Sequence, residues 1–408
     1  MFNQFRGTLK RFLGGKKGEK RLPHSYTDHE TQTVQDEPSL PQQGEAWSPP
    51  FKRQDNTQPV GNNPITDFTV EYLGEQVADN SCSHRDLGFV GQIAGKWYTV
   101  FGDTMWCAPG VTDPMKDPPG FHGMVRDSIS ALTDNPLVVH DLNLNDDYPV
   151  PHQLQFVPFN PEWGETMFYS FGGMSLVETD AATATGAAYC LVNSAPFDYD
   201  GLVGAGVAKV QVINGTPTVT KRYGNRGVWW PADVNPRYGD AASYRDENSE
   251  YVYLWGGPPI TDKDFVKQQY GYQARVRAAD AFDLASYEYW WGRQAGWRRE
   301  PLTAADCNET TAVTFCVGQG QVVYNRFFEC YIFIHLDVWG AGNVYLKTAP
   351  APEGPWAADV QIYKATPRDG GLVYAGAGYP YLDESGRTLV VSYTNNNVIE
   401  VIKVSFSK

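Results

Sequence analysis

Gly88-Phe-Val-Gly-Gln-Ile-Ala-Gly-Lys-Trp-Tyr-Thr-Val-Phe-Gly-Asp-Thr104 holds two short apolar and aromatic runs, parted by Ala94-Gly95 and closed by Gly102-Asp103. β-Branched and aromatic side chains suit a pleated, half-buried strand, and Gly and Asp suit tight turns. The stretch reads as strand, turn, strong strand. The same unit recurs. Strong strands are expected at Lys96–Phe101, Thr166–Phe171, Glu250–Trp255, Cys330–His335 and Thr388–Tyr393. Each follows a second candidate: Gly88–Ile93, Gln153–Val157, Ala241–Tyr244, Gln321–Tyr324 and Gly378–Leu382. Five units over about 340 residues leave room for some four strands and long loops apiece, which predicts an all-β, five-bladed β-propeller over residues 67–408. Helices are expected to be few, with Thr261–Gln269 and Ala278–Ala285 the best candidates.

Composition agrees. Of 408 residues, 42% are apolar, 14% are aromatic and 20% are charged, with 40 Gly and 28 Pro, a mix for many strands and turns rather than a coiled coil or a disordered chain. The formal net charge is −14. The first 66 residues hold 9 Lys plus Arg and 7 Asp plus Glu, so the remainder has 24 basic against 40 acidic residues. Such a body opposes binding to phosphate backbones, and nucleic acid is excluded as a partner.

Residues 1–21 place Phe2, Phe5, Leu9, Phe12 and Leu13 at helical spacing among basic residues, the pattern of a weak membrane-surface contact. Gly7, Gly14 and Gly15 favour a basic disordered head instead, followed by a Pro-, Gln- and Ser-rich linker that ends near residue 66. No run reaches the ~18 apolar residues of a spanning helix, and the start lacks the apolar core of a secretory signal. These features suggest a cytoplasmic protein, with non-classical secretion or organelle targeting as the alternative. Six cysteines without C-x-x-C spacing suggest neither a disulfide scaffold nor zinc. Cys307 and Cys316 could bridge a turn, although reduced thiols fit the missing signal better; the sequons at Asn214 and Asn308 argue mildly the other way.

In a propeller the innermost strands converge on a central channel, so polar groups at their starts share one pocket. Asp86, Asp103 and Asp127 fall in the first unit, and Asp233 and Asp240 in the third. Two carboxylates in different environments can act as acid and base on a glycosidic bond. Asp86, Asp103 and Asp240 are therefore the catalytic candidates. His84, Arg85, Arg126, Asp127 and His152 are candidates to hydrogen-bond sugar hydroxyls, and Trp106 and Tyr379, with Trp229 and Trp230, to stack on sugar rings. Asp beside Gly also closes turns, and Arg or His beside Asp also builds buried networks. No phosphate loop, nucleophile elbow or zinc-protease helix is present, and the acidic run Asp141–Asp147 matches no calcium loop. Neither a metal nor an organic cofactor is implied.

Arg85-Asp-Leu-Gly88, Tyr98-Thr-Val-Phe-Gly-Asp-Thr104, Lys347-Thr-Ala-Pro350 through Gly354-Pro-Trp356, and Val391-Ser-Tyr-Thr-Asn395 through Val401 resemble, in this order, the domain-of-unknown-function family numbered 4185. The resemblance spans about residues 67–406. It implies a five-bladed propeller similar to arabinanase and fructosidase glycoside hydrolases, some bacterial members being endo-D-arabinanases. It also implies that Asp86 and Asp103 are the family's paired acidic residues, while Asp240 rests on its place in the third unit alone. The expected function is a glycoside hydrolase acting on a furanose-containing or related glycan, with Asp86 or Asp103 as base or nucleophile and another carboxylate, such as Asp240, as acid. The alternative is a non-catalytic, lectin-like propeller using the same pocket.

Overall fold

The computed structural model describes residues 62–108, 111, 117, 122–145, 151–165, 171–193, 202–260, 270–315, 319–337 and 340–407. Over these the chain is all-β, with helix confined to 3-10 turns. Among the described residues five sheets have four or more strands, and two smaller sheets have two and three strands. The innermost strands are Leu87–Ile93, Phe171–Asp180, Ala242–Arg245, Gln321–Asn325 and Val373–Tyr379. They adjoin one another in that cyclic order, the fifth returning to the first.

Crowding at that ring dictates small residues. A Cβ on Gly91 would lie 2.0 Å from the Leu176 carbonyl oxygen, and one on Gly378 would lie 2.4 Å from Ile334 Cδ1. Backbone groups facing the ring need partners that no sheet ladder supplies, and side chains provide them. Gln321 accepts from the Val90 amide at 2.9 Å and donates to the Gly378 carbonyl at 3.2 Å, joining three inner strands. Ser243 donates to Ser175 at 2.6 Å between the third and second. Farther out, apolar faces of neighbouring sheets interlock in continuous clusters, one of which holds Trp230, Tyr238, Tyr272 and Tyr287.

Hairpins follow local turn chemistry. Ala94-Gly95, Asn214-Gly215 and Asn396-Asn397 each link paired strands with both residues at positive φ, as a type I′ turn requires. The last sheet is completed by the first long strand. Asp67–Glu75 runs antiparallel to Val398–Ser407, from Asp67 opposite Ser407 to Glu75 opposite Glu400. Asn63 adds bonds to the carbonyls of Leu346, on the neighbouring sheet, and Ala358, in the loop before that sheet's last strand.

Strands occupy Lys96–Phe101, Tyr251–Gly256, Cys330–Leu336 and Thr388–Asn395 where strong strands are expected. Residues 166–170 and 261–269 lie outside the described residues, as do 1–61 with the expected head and linker and Cys316 with the expected bridge. Three expectations need correction. In place of a helix over 278–285, Ala278–Asp280 and Leu284–Ser286 are separate 3-10 turns, because the Asp283 side chain accepts from the Ala285 amide and restarts the chain. Of the expected strand 153–157 only Gln153 lies in a sheet, paired off with His152 in a two-residue strand, Gln155 being drawn aside to Arg126 and Asp127. The strand expected at 378–382 instead runs Val373–Tyr379, and Pro380 opens a 3-10 turn. Among the described residues no helix is long and apolar enough to cross a membrane.

Candidate active site

Asp86 ends the short approach to the first inner strand. Leu87 and Gly88 follow it with φ of 64° and 104°, a bulge that breaks the register between Leu87 and Phe89. Bulges re-aim side chains. The Leu87 amide, freed from the ladder, donates to Thr394 Oγ1 of the fifth sheet at 2.8 Å. Just past the next strand Gly102 donates its amide to the Asp86 carbonyl at 2.9 Å, which sets Asp103 beside Asp86. The fit requires glycine, since a Cβ at residue 102 would stand 2.1 Å from Asp86 Oδ1.

The two carboxyls interact. Burial, and then the charge of Asp103, push Asp86 up to about 8, while Tyr374, Arg126 and the Asp103 amide relieve only part of that. Burial also raises Asp103, opposed by the Arg126 guanidinium, whose Nε lies 3.9 Å from Asp103 Oδ1. The Asp86 side chain is fully enclosed, whereas Asp103 and Arg126 retain 12% and 13% of their side-chain exposure. Burial thus holds a proton on the inner carboxyl at neutral pH, and the outer carboxyl, itself raised by burial, faces the arginine. Asp86 Oδ2 accepts from the Tyr374 hydroxyl at 2.8 Å, but buried Oδ1 has no hydrogen-bond partner among the described residues.

Arg126 is held by its neighbours. Gln155 accepts from the Arg126 amide and donates to Asp127, whose carboxylate also accepts from the Gly173 amide at 2.6 Å and the Val157 amide at 3.3 Å. Burial nevertheless pushes Asp127 up to about 7. Its place is a tie between the first and second sheets that steadies Arg126. Trp106 stacks on His152 with ring centroids 4.2 Å apart, three residues beyond Asp103, and His84 lies on the strand paired with Met105.

Other sequence candidates are placed in structural roles. Arg85 forms a buried two-point ion pair with Asp141, at 2.7 and 2.9 Å, and lies over the Phe101 ring. Asp240 accepts from Arg237 Nε at 2.7 Å and from the Gly257 amide at 2.8 Å, which closes the turn before the third inner strand. Tyr379 is in the core and accepts from Gln76, and Trp230 is buried with its indole donating to Tyr289. Asp233 is exposed. Tyr374 and Asn397 are functional candidates that the sequence did not single out. Tyr374 lies 288 positions from Asp86, beyond any local motif. Among the described residues no group of three or more His, Cys, Asp or Glu side chains is placed to hold a metal.

Sheets whose inner strands adjoin in a cycle, with paired carboxyls beside the start of the first, define a β-propeller. No protein-family model matches the chain, and no curated protein matches it. Among solved structures, it is similar to a candidate hydrolase from Bacteroides ovatus, at 16% identity and a TM-score of 0.55, over 82% of this chain and 87% of that one. An exo-β-1,3-galactanase from Phanerochaete chrysosporium solved with β-1,3-galactotriose matches at 12% identity and a TM-score of 0.47, over 83% of this chain and 64% of that one. A GH43_1 enzyme from Xanthomonas citri matches at 12% identity and 0.46, over 81% and 89%. The Bacteroides likeness is one of fold.

Proposed function

We propose that the protein is a five-bladed propeller, akin to the domain family numbered 4185, and a glycoside hydrolase that acts on an oligo- or polysaccharide such as a furanose-containing glycan. The blade count is supported by the five large sheets whose inner strands adjoin in a cycle. The observation that carries the chemistry is the Asp86–Asp103 pair: two carboxyls, one enclosed and raised by the charge of the other, which lies beside Arg126. Environments that drive two carboxyls apart assign an acid and a base. Asp86 is the proton donor to the leaving oxygen. Asp103 is the carboxylate that attacks or activates water, and the Arg126 guanidinium opposes the effect of burial on it. Asp240, engaged by Arg237 and Gly257, does not serve as the acid in this reading.

Incubating the chain with arabinans, galactofuranans, fructans and plant or fungal wall glycans, with chromatography of released sugars, tests it. Release should fall by about 100-fold or more in Asp86→Asn and Asp103→Asn. Tight binding without release would make the pocket a lectin site, and release unchanged in both variants would place the chemistry elsewhere.

A further inference from the structure

The Tyr374 hydroxyl has one hydrogen and two acceptors. It stands 2.8 Å from Asp86 Oδ2 and 3.5 Å from Asn397 Oδ1, and can donate to only one at a time. The groups come from separate elements: Tyr374 from the fifth inner strand, Asn397 from the hairpin turn beside it, and Asp86 from the approach to the first. The charged or titratable groups around this trio are Asp103 and Arg126. We propose that Tyr374 is a positioning residue whose hydroxyl follows the proton of Asp86, donating to Oδ2 when that carboxyl is ionised and turning to Asn397 when it is protonated. In the protonated state the Asp86 O–H donates to the tyrosine oxygen, and the tyrosine O–H donates to the Asn397 carbonyl oxygen. No bond to hydrogen is exchanged; only the donors rotate. Asp86 Oδ2 thereby keeps its tyrosine partner in both states, so the buried carboxyl can give up and regain its proton without losing that contact. The role of that proton rests on the hydrolase reading above; the hydroxyl switch itself does not.

The two partners must act in opposite senses. Tyr374→Phe removes the donor that eases ionisation, so the titration of Asp86 should move up by about one pH unit. Asn397→Gly removes the acceptor that serves the protonated state, so the titration should move down by about half a unit. Glycine keeps the positive φ of 63° that this turn position needs. The readout is the infrared band of the protonated carboxyl that Asp86→Asn abolishes, followed against pH in the full chain without substrate. Opposed shifts support the switch. Shifts in the same direction, or none in either variant, overturn it. Opposed shifts in a chain that releases sugar from no glycan would retain the switch and remove the hydrolase reading. Release without opposed shifts would do the reverse.

Discussion

Enclosing Asp86 costs stability in proportion to how far its proton affinity departs from that of an open chain. The unfolded carboxyl ionises near its ordinary value of about 4, whereas the folded one holds its proton to about 8. Between those limits the native state binds more protons than the unfolded state, so stability falls as pH rises through the window. Asp86→Asn should therefore be more stable than the parent near pH 8, by a few kcal/mol at most, with the difference closing towards pH 4. Thermal melts across that range check it. Gly102→Ala acts from the other side. Its Cβ would stand 2.1 Å from Asp86 Oδ1 and 2.9 Å from Leu87 Cδ1, so overpacking of about 1–3 kcal/mol is expected in denaturant unfolding. The displaced carboxyl should also reduce any glycan release.

Strands announce themselves by composition, but what holds each end of a strand does not. Lys96–Phe101 is aromatic and β-branched between two turns, and it folds as its sequence suggests. The Gln153–Val157 run has the same apolar beat, yet Gln155 leaves the ladder because its amide completes a contact with Arg126 and Asp127. Arg85 shows the same limit. Beside Asp86 it reads as a site residue, and only the register of the fourth strand of its sheet shows that Asp141 claims it. Breaking this enclosed pair with Arg85→Leu should cost about 3–5 kcal/mol, because Asp141 keeps its charge without its partner. Burial alone would raise Asp141, but Arg85 with Ser81 and Ser130 outweighs it and holds the carboxyl below its ordinary range. That stabilisation is present above the unfolded carboxyl's value of about 4 and is lost as pH falls below it. Urea midpoints of parent and variant should converge on acidification; a constant gap would show that packing of the arginine stem, not charge, is what matters.

At the scale of the whole molecule, the ring of sheets was legible because its unit repeats, while its closure was not. Nothing in Asp67–Glu75 advertises that its partner is Val398–Ser407, more than three hundred residues away. A separation of 288 positions hid the Tyr374 contact with Asp86, whereas Asp86 and Asp103 fall in two neighbouring motifs of the first unit. Removing residues 62–75 should lower the melting temperature by several degrees and, by baring the edge of Val398–Ser407, promote association visible in gel filtration. Charge at Lys403, which otherwise pairs with Glu71 at 2.8 Å, limits but does not abolish that tendency. A monomer that melts with the parent would mean that the last sheet stands on three strands.

The geometry of that seam also sets how the protein would answer to force. Asp67 and Ser407 sit opposite each other at one end of an antiparallel ladder, so tension between the two ends of the folded body loads its hydrogen bonds in succession rather than together. A ring joined in this way opens like a zip, at low load and from the chain ends inward, while the inner strands around Asp86 feel the pull last.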